Sequence, residues 1–233
     1  MTRTQLVVLD MAGTTVADDG LVVAAFTRAI ASVGVAEGSD DYARMLAYVH
    51  DTMGESKISV FRALLDQDED RAQHANAAFE AAYGDLVAGG ACAPVDGAEE
   101  AIAELRTAGV KVALTTGFGG DTQQAILKAL GWTSIADLVL CPADAGRGRP
   151  YPDLVLTAVL RLGVDDVRAV ATAGDTAFDV LCGLRAGASV AAGVLTGAHD
   201  RAALEQAGAT HVLDSVRDLP AVVLGDPAAT PGR

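Results

Sequence analysis

From about Pro94 onward the chain alternates short apolar runs with helix-length segments, and this alternation limits the fold more than any other feature. The expected strands are Lys111–Thr115, Asp137–Leu140, Arg168–Ala173, Ser189–Val194 and His211–Leu213. Between them lie expected helices at Gly97–Ala108 (ending at Gly109), Asp121–Leu130, Pro152–Leu162, Ala177–Ala186 and Asp200–Gln206. Strands separated by helices of this length form βαβ units, and βαβ units form a parallel sheet. With 51% hydrophobic residues and only 21% charged, the chain has the apolar mass for a buried sheet.

One further strand stands apart. Leu6-Val7-Val8-Leu9 is an apolar run that stops at Asp10, with Gly13 just beyond, and reads as a buried parallel strand. Its partners resume only near Pro94. In between, Leu21, Val22, Ala25, Phe26, Ile30 and Val33 recur at helical spacing. So do Tyr42, Met45, Leu46 and Val49, then Ile58, Phe61, Leu64 and Leu65, and finally Phe79, Tyr83, Leu86 and Val87. The expected architecture is therefore α/β: a Rossmann-like doubly wound parallel sheet core, residues 1–16 and 90–225, with an all-helical cap inserted at 17–89. The linkers near Ala17–Asp19 and Gly89–Pro94 would serve as hinges, and 226–233, rich in Ala and Pro, as a frayed tail. An insert so placed can cover a site at the carboxyl ends of the strands.

A net charge of −14 and the lack of any Lys/Arg run argue against nucleic-acid or anionic-membrane partners. An anionic substrate would be repelled at long range, so a phosphate site needs local positive charge. Cys92, Cys141 and Cys182 are odd in number and show no metal spacing. No apolar run reaches transmembrane length and no signal-peptide pattern precedes the first strand, so a reducing cytoplasm is the expected location.

Three strand ends carry chemistry: Asp10-Met11-Ala12-Gly13-Thr14-Thr15, Thr115-Thr116-Gly117, and Gly174-Asp175-Thr176 with Asp179 one helical turn on. Phosphoryl transfer requires a nucleophile, a hard cation held by oxygens, and donors around the phosphoryl oxygens. Asp10 and Asp175 can give oxygens to Mg²⁺. Thr116 and the amides near Gly13, Thr14 and Gly117 can donate to the phosphoryl group, and Arg149 adds positive charge. Taken singly, each reads more readily as a helix cap, a loop tripeptide or a surface turn. Their joint occurrence at successive strand ends points to one site.

With these residues in place, the chain resembles the haloacid dehalogenase superfamily over nearly its whole length. The superfamily's four motifs match Asp10 to Thr14, Thr116, Arg149, and Asp175 with Asp179. The resemblance implies that Asp10 forms an aspartyl-phosphate. It also implies that Asp10, the Ala12 carbonyl and Asp175 bind Mg²⁺ with Asp179 in support, that the helical insert is a mobile cap, and that the substrate is a small phosphorus compound. It further allows a cap-mediated homodimer.

Position 12 departs from the phosphatases of that superfamily, which carry an acid there to protonate the leaving alkoxide. Alanine cannot donate a proton. Lys57, in Met53-Gly54-Glu55-Ser56-Lys57, suggests a leaving group that needs none. Its amine can condense with an aldehyde to an iminium, into which the electrons of a breaking C–P bond flow. That amine must be partly neutral, so burial or nearby cations should depress its pKa. The bland reading of Lys57 is an exposed helix lysine. Asp-x-Ala-Gly-Thr-Thr, Met-Gly-x-x-Lys, Thr115-Thr116-Gly117 and Arg149-Pro150-Tyr151-Pro152 together resemble the phosphonoacetaldehyde hydrolase (phosphonatase) family. Val60 and Phe118 stand where that family has a proton-handling histidine and a tyrosine; His50 is a candidate substitute. Three other functions remain open: a phosphatase with a good leaving group, a haloacid dehalogenase, and a non-catalytic sensor of phosphoryl ligands.

Overall fold

The computed structural model describes residues 3–225, so the expected tail at 226–233 lies outside the described residues. Six parallel strands form one sheet, in the order β3-β2-β1-β4-β5-β6. They are β1 (Leu6–Asp10), β2 (Lys111–Thr115), β3 (Leu138–Leu140), β4 (Val170–Gly174), β5 (Val190–Val194) and β6 (His211–Leu213). The α/β reading holds. In β1, Val7 and Leu9 join one apolar cluster and Leu6 and Val8 the other, because successive strand side chains point to opposite faces. Burial on both faces explains the unbroken apolar run.

Four helices fill the stretch between β1 and β2: α1 (Leu21–Ser32), α2 (Asp40–Asp51), α3 (Lys57–Leu64) and α4 (Glu69–Ala88). The core helices are α5 (Ala98–Thr107), α6 (Gly120–Ala129), α7 (Pro142–Ala145), α8 (Asp153–Arg161), α9 (Ala177–Ala186), α10 (Arg201–Gln206) and α11 (Leu219–Leu224). On one face, α5, α6 and α11 pack on Val7 and Leu9 through Ile102, Leu105, Ile126 and Leu219. On the other, α8 and α9 pack on Leu6 and Val8 through Leu154, Val155, Ala158 and Cys182.

The chain leaves β1 and returns towards β2 through a narrow neck. The Ala17 amide donates to the Ala93 carbonyl at 2.9 Å and the Val95 amide to the Thr15 carbonyl at 2.9 Å. These bonds form an antiparallel bridge between Val16 and Pro94.

Aromatic side chains are scarce, yet four of the five phenylalanines lie in one row. Phe26 stacks on Phe61 (ring centroids 6.1 Å apart), Phe61 meets Phe79 (6.0 Å), and Phe79 meets Phe118 (6.1 Å) in the loop after β2. Tyr83 closes on Phe118 at 4.5 Å.

Three expected strands begin later than the sequence pattern suggests, β5 by a single residue, at Val190. Val167–Ala169 is a 3₁₀ turn capped by Asp166, whose carboxylate accepts the Arg168 amide at 2.9 Å, so β4 starts at Val170. Asp137 stays outside β3 because its carboxylate accepts the Val112 amide at 2.8 Å, in place of a strand carbonyl.

Candidate active site

Strand order reverses around β1, with β2 on one side and β4 on the other, and open α/β sheets bind ligands at such a point. Asp10 ends β1, Thr115 ends β2 opposite it, and Asp175 follows the last residue of β4. The turn after β1 is wound tightly on one acceptor. The amides of Thr14, Thr15 and Val16 all donate to the Met11 carbonyl, at 3.2, 2.9 and 2.7 Å. Gly13 adopts φ +80°, and a Cβ there would lie 2.5 Å from Asp175 Oδ2. Gly13→Ala combines left-handed strain with displacement of Asp175. It is expected to destabilise the fold by roughly 1–2 kcal/mol and, where the carboxylate cluster holds a divalent cation, to weaken that binding at least about tenfold. Thermal melts and metal titration check this; unchanged metal affinity would refute it.

Three buried carboxylates converge here. One oxygen from each of Asp10, Asp175 and Asp179 lies within 4.8 Å of the others. Arg149 is the cation among them. Its guanidinium pairs with Asp10 Oδ1, with Asp179 Oδ1 at 2.6 Å and with Thr115 Oγ1 at 3.1 Å, and it also donates to the Gly54 carbonyl at 3.1 Å. Asp179 additionally caps α9, accepting the Thr176 amide at 3.1 Å. Asp175 accepts the Ala198 amide at 2.7 Å and the Thr14 hydroxyl at 3.3 Å. Burial pushes the Asp175 carboxyl up to about 7, with Asp179 adding to the rise. Burial likewise raises Asp10, against the opposing pull of Arg149. Three carboxylates facing one guanidinium leave uncompensated negative charge, the condition a hard cation relieves. The Ala12 carbonyl accepts no hydrogen bond among the described residues, because the turn uses the Met11 and Val16 carbonyls instead. Asp10, the Ala12 carbonyl and Asp175 therefore form an oxygen set that fits Mg²⁺.

A cavity of about 480 Å³ opens from this cluster towards the helical insert, with Thr116, Gly117, Met53, Gly54 and Lys57 on its walls. Gly54 (φ +94°) presses against the core: a Cβ there would lie 2.5 Å from Thr176 Oγ1. The Gly117 carbonyl accepts the Lys57 amide at 3.3 Å, and Thr116 Oγ1 accepts the Phe118 amide at 3.2 Å. Lys57 is buried, 9% exposed, so the exposed-lysine reading fails. Nζ lies 5.6 Å from the Phe118 ring centroid and 6.0 Å from that of Phe79, with no ion pair among the described residues. Burial lowers its pKa, as amine chemistry requires; Asp18 is the strongest charge opposing that shift. Val60 is buried in the insert core, whereas His50 reaches the cavity wall from an otherwise exposed position.

Several supporting residues were invisible at sequence level. Glu80 on α4 accepts the Gly119 amide at 2.8 Å and the Thr122 hydroxyl, capping α6 from the insert. Thr196 donates to the Gly13 carbonyl at 2.7 Å, and a Cβ on Gly197 would lie 2.0 Å from Asp175 Oδ2. These contacts join residues 39 and 183 positions apart, and no local pattern announces them.

Residues 4–187 match the family described as haloacid dehalogenase-like hydrolase. The chain belongs to that family. That match takes in β1 through α9, and the family's description is that of a hydrolase. It is 35% identical over 95 residues to a phosphonoacetaldehyde hydrolase from Bacillus cereus, covering 40% of this chain and 36% of the relative. It is 34% identical over 153 residues to one from Bordetella pertussis, covering 56% of this chain and 55% of the relative. The matches thus span between a third and just over half of those curated relatives' lengths. A hydrolase from Pseudomonas syringae superposes with a TM-score of 0.82 at 24% identity, over 98% of this chain and 100% of that one. A phosphonoacetaldehyde hydrolase-like protein from Oleispira antarctica gives 0.81 at 25% identity, over 96% and 92%. No helix among the described residues is long and apolar enough to cross a membrane.

Proposed function

We propose that this hydrolase is Mg²⁺-dependent and cleaves the C–P bond of a small phosphonate aldehyde, phosphonoacetaldehyde being the substrate its relatives' names suggest. One observation carries the reading. A buried lysine amine, without an ion pair among the described residues, shares a cavity with Asp10, while position 12, the place for a general acid, holds alanine. Helices α1–α4 act as the cap, bringing Lys57 to the substrate.

In this reading Lys57 condenses with the aldehyde, and Asp10 attacks phosphorus in line with the breaking C–P bond. The bond's electrons enter the iminium, and the carbon fragment leaves as an enamine, so Ala12 has no proton to give. Arg149, Thr116 and the amides around Gly13, Thr14 and Gly117 hold the phosphoryl oxygens. Met53 and Gly54 set the distance between cap and core. Mg²⁺, held by Asp10, the Ala12 carbonyl and Asp175 with Asp179 behind them, would supply charge neutralisation between phosphoryl group and nucleophile.

Phosphate release from phosphonoacetaldehyde and from a set of phosphomonoesters, with Mg²⁺ and with excess chelator, tests the proposal. Phosphonate turnover should exceed ester turnover by at least about 100-fold, because the ester leaving group lacks its acid. Chelation should remove both. Faster release from esters would overturn the C–P reading, and activity surviving chelation would overturn the metal.

A further inference from the structure

Imine formation at Lys57 requires a partner that moves protons, and the α3 face offers none: Val60, one turn beyond Lys57, is a buried hydrocarbon. We propose that Asp18, in the segment leading from the neck into α1, is the proton-transfer residue for Lys57. This role rests on the imine reading above.

The placement of Asp18 supports it. Its backbone follows the Ala17–Ala93 hydrogen bond of the neck. Asp18 Oδ1 accepts the Val22 amide at 3.0 Å, and Oδ2 carries no hydrogen bond among the described residues. Asp18 and Lys57 line the same cavity as Asp10, Ala12 and Arg149. Val22, whose amide holds the carboxylate, also lines the small void beneath the lysine together with Phe26, Val60 and Phe79. Val22 thus borders both the anchored carboxylate and the void that Lys57 lines. The two groups are also tuned towards each other. Burial raises Asp18 and lowers Lys57, so the difference in proton affinity between acid and amine shrinks, as proton exchange requires.

Neighbouring groups are worse placed. Glu55 does not line the cavity, and Asp19 and His50 are exposed at its rim. Arg149 is paired with Asp10 and Asp179, and Asp175 accepts from the Ala198 amide and the Thr14 hydroxyl.

The chemistry balances. The Lys57 amine adds to the aldehyde carbon, and its surplus proton passes to the new oxygen, giving a carbinolamine. Asp18, as the acid, protonates that hydroxyl. Water departs, the nitrogen lone pair closes the C=N bond, and an iminium faces an Asp18 carboxylate. After C–P cleavage, solvent protonates the enamine carbon. Water then adds to the resulting iminium, and the Asp18 carboxylate takes the water's proton, regenerating the acid. Collapse of this second carbinolamine frees the aldehyde product and the amine.

Asp18→Asn separates chemistry from structure, since an amide oxygen still accepts the Val22 amide. The rate of borohydride trapping of phosphonoacetaldehyde on Lys57 should fall about 100-fold, with an unchanged melting temperature. Turnover should lose kcat rather than gain KM. Asp18→Ala should recover part of its rate in formate buffer, which no purely structural role would do. Trapping in Asp18→Asn at the wild-type rate, or a loss matched by destabilisation and unrelieved by formate, overturns the role of Asp18. Failure of the wild-type protein itself to trap substrate overturns the imine reading, and this role with it.

Discussion

Asp10→Asn should abolish phosphate release, by about 10⁴-fold or more, while leaving the protein folded. The carboxamide is nearly isosteric and can still accept from Arg149, so the ion cluster keeps its shape. It cannot, however, attack phosphorus to leave a stable acyl phosphate. One of three mutually repelling buried carboxylates is also removed, so the metal-free variant should melt no lower than wild type. Intact-mass analysis after rapid quench should show a phosphoryl adduct in the wild type only. Appreciable turnover in this variant would mean that another group attacks phosphorus.

Lys57→Met should reduce turnover of a phosphonate aldehyde at least about 10³-fold and eliminate borohydride trapping, yet raise stability by on the order of 1 kcal/mol. Methionine keeps the contacts with Phe79 and Phe118 and removes a charge held out of water. The direction of the pH effect follows from the lowered pKa. Between the folded-state pKa and the unfolded value of about 10.4, the unfolded chain binds more protons, so wild-type stability rises with pH across that window. Below the folded-state pKa the cost of the buried ammonium is fully present. The gain from Lys57→Met should therefore be largest below the folded-state pKa and shrink as the pH rises towards the unfolded value, as chemical denaturation at several pH values would reveal. A constant gain would show that Lys57 carries no burial cost, and wild-type turnover would remove it from the chemistry.

Much of this was legible in the sequence. Strand ends are readable because a parallel strand is an apolar run and its site residue is the first polar group past it, as with Asp10 and Asp175. Lys57 was legible only jointly with Ala12, since a lysine in an amphipathic helix is ordinarily solvated. Its burial depends on Phe79 and Phe118, which reach it from α4 and from the loop after β2. Asp18 read merely as part of a linker, because an acid before a helix is an ordinary cap and the lysine that shares its cavity lies 39 positions away. The start of β4 was misjudged at Arg168 for a similar reason: the Asp166 side chain competes with the ladder for the Arg168 amide.

The neck at Val16 and Pro94 has a consequence for how such an enzyme diversifies. Two paired backbone strands place the departing and returning ends roughly 5 Å apart, so the sheet experiences the 77 residues between Val16 and Pro94 as a short loop. Any module with equally close termini could be spliced there without altering the register of β1 against β2 or β4. Recombination at this junction would exchange the half of the cavity that bears Lys57 while inheriting the half that bears Asp10, Arg149 and Asp175 intact.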